Sequence, residues 1–413
     1  MTDIRELDKI VREVMNQVHA KYSLQMNASL YLPRRKGGRG LKNLEMIYKK
    51  TKIKAAMNLL TTSDPRITCV KDFDMDRMNK GKSSTIKDAI KYAKEDFALT
   101  FLTVPGNFEV KYTKSGEDMT TSDVKVVKEL LNERESTNVI NEIQKSTWQG
   151  LLLKSRYNDA DLIEGSFGWL TNWKDCPVQV VNDALSVYLQ IVPTLTFVNY
   201  RSGNANGSTK CRLCNADSES VRHLLSQCTK FLNTAYKRRH DRVLQYIIFR
   251  FLKRYSLVES TPPWYSKIVI KPQYENDDVL VLWDIPEYSG YDDEEEDKVL
   301  RPDGKIILKK DKKIYVLEMS VPWITNRDSK IDEKMEKYAS IVQTLKVDNP
   351  LFKVQQLTFI ADCLGGYSKS FTEALRTLGF DKHEIKRMCL DIQKIIVTEA
   401  TSTINRFKIL TMK

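Results

Sequence analysis

The feature that most constrains the fold is a short cysteine and histidine cluster: Cys211-x-x-Cys214, eight residues, His223, four residues and Cys228. Three thiols and one imidazole at this spacing suit a tetrahedral zinc site. Cys-x-x-Cys fits a tight turn that presents two sulfurs to one ion, and residues 221–227 can form a short helix that turns His223 inward. Four protein ligands complete the tetrahedron and leave no position for water, so the ion expected here is structural rather than catalytic, even with Asp217 and Glu219 nearby. The competing reading is three buried thiols beside a core histidine. It is weaker because His19, His240 and His383 lie elsewhere and His223 falls in register. The total of seven cysteines is odd, and their crowding into one window favours metal binding over a disulfide framework. Zinc would stabilise the small module and present Lys210, Arg212, Arg222 and Lys230 to phosphates.

Lys and Arg total 66 against 54 Asp and Glu, a formal charge of +12 that favours an anionic partner such as nucleic acid. Mean hydropathy is −0.42, and the longest nearly apolar stretches, residues 246–252 and 279–283, are too short to span a bilayer. The first residues, MTDIRELDKIVREVM, are amphipathic and charged without an apolar core, so the expectation is an intracellular protein with no membrane partner.

The 413 residues allow two or three domains, at roughly 150 residues each. Residues 1–29 carry helical periodicity and lead into a basic, turn-rich stretch at 32–41. Residues 44–200 read as mostly helical, with charged amphipathic segments at 83–99 and 122–131, a more apolar one at 178–191, and a small hairpin within 104–121. A Gly/Asn/Ser linker at 202–208 precedes the cysteine cluster. A basic amphipathic helix follows at 233–255, and Thr261-Pro262-Pro263 breaks the chain. Beyond it, β-rich runs are expected at 267–271, 279–285, 305–308, 314–321 and 354–362, with a helix at 329–345 and two closing helices. The fold class is therefore α+β and multidomain: a helical N-terminal region, a zinc knuckle and a C-terminal α/β domain. The acidic run at 292–297 reads as an exposed loop.

Residues 301–338 contain the parts that metal-dependent phosphodiester cleavage needs, two carboxylates to hold Mg²⁺ and a cation near the attacking water. A two-residue turn at Lys310-Asp311 would set Asp303 opposite Glu318 on one face of a strand pair, whereas a slip of one residue would separate them. Glu318 lies in an apolar strand, where a carboxylate without a partner is costly. On the next helix, Ile331, Met335, Tyr338, Ala339 and Val342 form one buried stripe. Lys334 then lies roughly 85° from its centre and Lys337 roughly 145°, so Lys334 borders the core-facing side. The same spacing also fits a salt-bridged strand glutamate and a solvated helix face.

Arg301-Pro302-Asp303, Val316-Leu317-Glu318-Met319-Ser320-Val321-Pro322-Trp323, Asn326-Arg327 and Lys334-x-x-Lys337-Tyr338 together resemble the restriction-enzyme-like endonuclease of non-LTR retrotransposons, a PD-(D/E)xK relative. The zinc cluster just upstream, Arg239-His240-Asp241 after it, and Phe359-Ile360-x-Asp362-x-Leu364-Gly365-Gly366-Tyr367-Ser368 also resemble that family. Residues 32–41 with Leu44-Glu45 resemble the thumb that follows the palm of a reverse transcriptase. The resemblance implies five regions: a thumb-like remnant at 1–60, a helical linker region at 61–200, a CCHC zinc knuckle at 208–232, a basic helix at 233–260 and a nuclease domain at 264–413. It implies Asp303 and Glu318 as Mg²⁺ ligands, Lys334 as catalytic lysine, and Lys337 and Tyr338 as supporting residues. The usual E-x-K lysine would fall at Ser320, so the lysine must come from the following helix, and the choice among Lys330, Lys334 and Lys337 stays open.

The resemblance further implies a DNA nick whose 3′-hydroxyl primes reverse transcription, with target DNA and element RNA as partners in the nucleus. Arg34, Arg35, Lys36, Arg39, Arg212, Arg222, Arg238, Arg239 and Arg242 are the candidates for nucleic-acid contact. No aromatic-x-Asp-Asp polymerase turn is present: Asp292-Asp293 and Asp277-Asp278 lack the preceding pattern. The chain thus reads as the C-terminal part of an element polyprotein without polymerase chemistry. The rivals are a non-catalytic, zinc-dependent nucleic-acid-binding protein derived from such an element, and a metal-stabilised interaction module whose charge is incidental. The oligomeric state is not legible.

Overall fold

The computed structural model describes residues 2–104, 107–162, 164–289 and 298–411. The acidic run at 292–297, including Asp292-Asp293, lies outside them. The chain divides into two compact units, residues 1–151 and 152–413.

In the first unit, helices α1 (Thr2–Gln17), α2 (Leu44–Thr61), α3 (Pro65–Asn79), α4 (Thr85–Phe97) and α5 (Val124–Lys145) accompany a three-stranded antiparallel meander. Its strands are β1 (Thr100–Val104), β2 (Asn107–Lys114) and β3 (Glu117–Thr121). Side-chain caps set the starts: Asn43 accepts from the Met46 N–H, Ser84 from Lys87 and Asp123 from Lys125, while Asp64 precedes a proline at the first helical position. Ile53, Met57, Ala89, Phe97, Val110 and Leu131 meet in the core. The expected hairpin is a meander because α4 ends at Ala98, whose left-handed backbone (φ 50°) releases residues from 100 onward into a strand.

The second unit begins at α6 (Leu151–Tyr157) and continues through α7 (Val178–Tyr188), α8 (Leu195–Ser202), α9 (Val221–Ser226) and α10 (Lys237–Arg254). A five-stranded sheet follows, β4 (Gln273–Glu275), β5 (Val279–Trp283), β6 (Gly304–Leu308), β7 (Lys313–Ser320) and β8 (Lys353–Ile360), in spatial order 8-7-6-5-4. Only the β7–β8 pair is parallel. Between those strands lie α11 (Arg327–Lys337) and α12 (Ala339–Asp348), and α13 (Lys369–Thr377) and α14 (Lys382–Thr411) close the chain. Strand β7 lies between β8 and β6, and residues 314–319 are all buried. No helix among the described residues is long and apolar enough to cross a membrane.

Several expectations change. The stretch 61–200 is not one region but is shared between the units, because residues after 151 are tied to the C-terminal segments by buried polar groups. The Arg156 guanidinium, 4% exposed, donates to both oxygens of fully buried Asp362, which also accepts from the Leu364 and Gly366 N–H groups. Gln393 accepts from the Trp169 N–H and donates to the Gly165 and Gly365 carbonyls. Residues 202–208 form a clasp rather than a linker: Asn199 donates to the Ser208 carbonyl, and a Cβ on Gly207 would lie 2.4 Å from the Asn199 side chain. Residues 267–271 form no strand, since Lys267, Val269 and Lys271 face solvent and the sheet edge starts at β4. The helix expected at 329–345 breaks at Tyr338 into α11 and α12, leaving Met335 and Ala339 exposed while Tyr338, Ile341 and Leu345 are buried. The helix expected from 233 begins with a π turn, Leu232–Tyr236.

Candidate metal centre and acidic cleft

Cys211, Cys214, His223 and Cys228 bring their ligand atoms within 4.8 Å of one another, and Cys214 Sγ lies 3.2 Å from His223 Nε2. In a tetrahedron with zinc–sulfur bonds near 2.3 Å, ligand atoms stand about 3.8 Å apart, so the set can hold a metal ion such as zinc. Local structure prepares it. Asn215 adopts a left-handed conformation (φ 61°), and the Cys211 N–H to Ala216 O and Asn215 N–H to Cys211 O bonds close the turn that carries both cysteines. Ser220 caps α9 by accepting from the His223 N–H, and the Cys228 N–H donates to both the His223 carbonyl and the Tyr236 hydroxyl. Burial pushes the Cys228 thiol up to about 12 and draws His223 below its usual value. Although burial works the other way, neighbouring groups lower Cys214 instead, and a bound cation would favour the thiolate form of all three.

The acidic site is built on β6 and β7. Their register runs from Leu308↔Lys313 to Gly304↔Leu317 and, continued by one residue, sets Asp303 opposite Glu318. The loop that joins them has four residues outside the ladder, Lys309 to Lys312, yet the pairing is the same one a two-residue turn would set. The Asp303 N–H donates to Glu318 Oε1 at 3.2 Å. Glu318 ends the row Ile314, Val316, Glu318 on the strand face that α12 covers, and it is fully buried. Lys334 of α11 reaches it, with Nζ 2.7 Å from Oε2. Burial and the neighbouring Asp303 push Glu318 up to about 7, against the pull of Lys334. Lys337 instead donates to the Tyr338 hydroxyl at 3.0 Å, which donates to the Arg301 carbonyl. Lys330 pairs with Glu333.

The residue that sequence reasoning missed is His240. From the first turn of α10 its Nε2 lies 3.0 Å from both Asp303 Oδ2 and the Met319 carbonyl, while Nδ1 lies 2.9 Å from Asp241 Oδ1. All three neighbours are acceptors, so both ring nitrogens donate and the ring is held as a cation. Burial opposes that charge, but the two aspartates prevail and raise His240 to about 9. In return, although burial works the other way, His240 and the Met319 N–H hold Asp303 below the usual carboxylate range. The tripeptide Arg239-His240-Asp241 was the available signal; what it lacked was any indication that α10 crosses the sheet at Asp303.

Asp303, His240 and Asp241 line a cavity of about 650 Å³ whose wall also includes Lys237, Lys330 and, from the cysteine module, Ser226. Arg239 couples the two sites, donating from one guanidinium nitrogen to Leu225 O at 2.8 Å and Val321 O at 3.3 Å.

The basic residues sort unevenly. Arg239 is buried, so it is a structural tie and not a nucleic-acid contact. Arg212 is held by fully buried Glu219 and the Pro193 carbonyl. Arg238 and Arg242 share Glu399. These pairings reflect a module packed against helices rather than standing free. Arg222 is exposed, as are Arg34 and Arg35, while Lys36 is half-buried. Arg39 donates to the Ala20 carbonyl, and burial lowers it to about 10.

Asp303, Glu318 and the Met319 carbonyl offer hard oxygen donors of the kind Mg²⁺ takes, with the remaining positions left to water. The donor chemistry therefore fits. No protein-family model matches the sequence, and no curated protein matches it.

Proposed function

We propose that the second unit is a Mg²⁺-dependent DNA endonuclease of the restriction-enzyme-like type, the nicking part of a non-LTR retrotransposon polyprotein. The observation that carries this reading is the convergence of Asp303, Glu318 and Lys334, from two strands and a helix, beside a cavity with basic residues in its wall. Asp303 and Glu318 would hold Mg²⁺, which when bound polarises a phosphate and acidifies a water. Lys334 favours the ionised form of buried Glu318 and supplies positive charge where negative charge develops. His240 orients Asp303 and holds it deprotonated, acting as a positioning residue. Tyr338, fixed by Lys337 and the Arg301 carbonyl, braces the lysine side of the site. Target DNA is the substrate, element RNA a second partner and the nucleus the place of action, with zinc in the cysteine module as a structural ion.

The test is nicking of supercoiled plasmid by the zinc-loaded full chain with or without Mg²⁺, beside Asp303→Ala. Metal-dependent nicking that the variant loses is expected. Plasmid binding without nicking, unchanged by the substitution, would instead select the non-catalytic binding protein.

A further inference from the structure

A second groove, of about 500 Å³, adjoins the acidic cleft and shares Lys237 and Asp241 with it. One wall is α10 and the other is the segment 264–268. Four cations face it, Lys237, Arg238, Arg242 and Lys267, against Asp241 and Glu399. Glu399 is shared by both arginines at 2.6 Å, and Asp241 is engaged by His240. Neither Lys237 nor Lys267 has an ion-pair partner among the described residues, and both are exposed. The groove therefore keeps a surplus of positive charge.

Tyr265, 66% exposed, stands in this wall. Its ring meets the buried Trp264 ring edge to face, with centroids 5.6 Å apart, and Trp264 is backed by the Lys394 ammonium 5.7 Å from its ring. An exposed aromatic ring braced from behind, beside unpaired lysines, combines the two components of single-strand recognition, a stacking platform and a cationic track. A duplex hides its base faces within its own stack, whereas a single strand offers them to such a ring.

We propose that this groove binds the DNA strand leaving the acidic cleft as a single strand, with one base stacked on Tyr265 and phosphates on Lys237 and Lys267. The inference rests on the nuclease reading for the origin of the strand.

The experiment uses the zinc-loaded full chain in Mg²⁺-free buffer, with anisotropy of labelled dT10, rU10 and a 20-base-pair duplex at several KCl concentrations. Tyr265→Ala should weaken dT10 by roughly 5- to 150-fold with the salt slope unchanged, and Tyr265→Phe should restore it. Lys237→Gln with Lys267→Gln should flatten the log–log slope by about 1.4, at about 0.7 per single-strand phosphate contact. Duplex affinity should not respond to Tyr265→Ala. Unchanged dT10 binding in Tyr265→Ala, equal weakening of the duplex, or preference for rU10 would overturn the inference. Because omitting Mg²⁺ prevents cleavage, Tyr265-dependent dT10 binding without plasmid nicking in Mg²⁺ would sink the nuclease reading alone. Asp303-dependent nicking with dT10 indifferent to Tyr265 would sink this inference alone.

Discussion

Replacing Lys334 by methionine keeps the length of the side chain and removes its charge, so it isolates the 2.7 Å contact with Glu318 Oε2. Glu318 is fully buried and titrates near 7 with Lys334 in place. Two unit charges about 4 Å apart interact by about 4 kcal/mol at an effective dielectric of 20, a ceiling reduced by the part of Lys334 that reaches solvent. A net loss of about 1–3 kcal/mol would raise Glu318 by about one to two further units, at 1.36 kcal/mol per unit. Near pH 7.5 the carboxyl would then be mostly protonated, and a protonated carboxyl is a poor Mg²⁺ ligand. The nicking rate of Lys334→Met should therefore fall by about 3- to 25-fold at pH 7.5 and recover partly toward pH 9. Lys337→Met should move the rate far less, because Lys337 donates to Tyr338 and not to a carboxylate. Plasmid nicking from pH 6 to 9, with thermal melting to verify folding, reads both variants. A wild-type pH profile in Lys334→Met, with the loss appearing in Lys337→Met, would refute the reasoning.

His240→Gln keeps one amide donor for Asp303 and removes the cation; a charge-assisted bond is worth about 1.5–3 kcal/mol, so single-turnover nicking should fall by about 10- to 100-fold with the circular dichroism spectrum unchanged, and full activity would remove His240 from the site. The purified chain should carry one equivalent of zinc by atomic emission, and Cys228→Ser or a strong chelator should lower both melting temperature and nicking, since Arg239 joins the module to the end of β7; retained nicking without zinc would uncouple the two sites. In the first unit, Arg5 and Lys49 hold Glu45 down at about 2, so its contribution is complete above about pH 4.5 and is lost as pH falls toward 2. Solvent screening at exposed Arg5 keeps this contribution small, and Glu45→Gln should flatten the acid limb of an unfolding curve for that unit.

The strands of the second unit were legible where alternation or burial was unbroken. Residues 314–321 read as a buried strand because consecutive apolar residues leave no solvent face, and the pairing of Asp303 with Glu318 follows from counting along two strands. Residues 267–271, Lys-Ile-Val-Ile-Lys, also carry an apolar run but have no neighbouring edge to pair with. The closing helices were legible from periodicity, whereas the break at Tyr338 was not, because it arises from a ring packing over the Glu318 face of β7. Basic residues were the least legible class. Arg212, Arg238, Arg239 and Arg242 read alike as surface charge, and only packing reveals that Glu219, Glu399 and two carbonyls hold them.

Sequence alone determined the four residues that can hold a metal ion, since their spacing within 18 positions leaves little freedom in how a turn and a short helix can place them. It also determined the opposition of Asp303 and Glu318, which is a property of one strand pair. Tertiary structure alone decided which lysine meets Glu318, that His240 joins the site from 63 residues upstream of Asp303, and that Tyr265 stands at a groove adjoining it. Each of these depends on how a helix or loop crosses a sheet. That crossing is set by the packing of many side chains together, and no local pattern of residues encodes it.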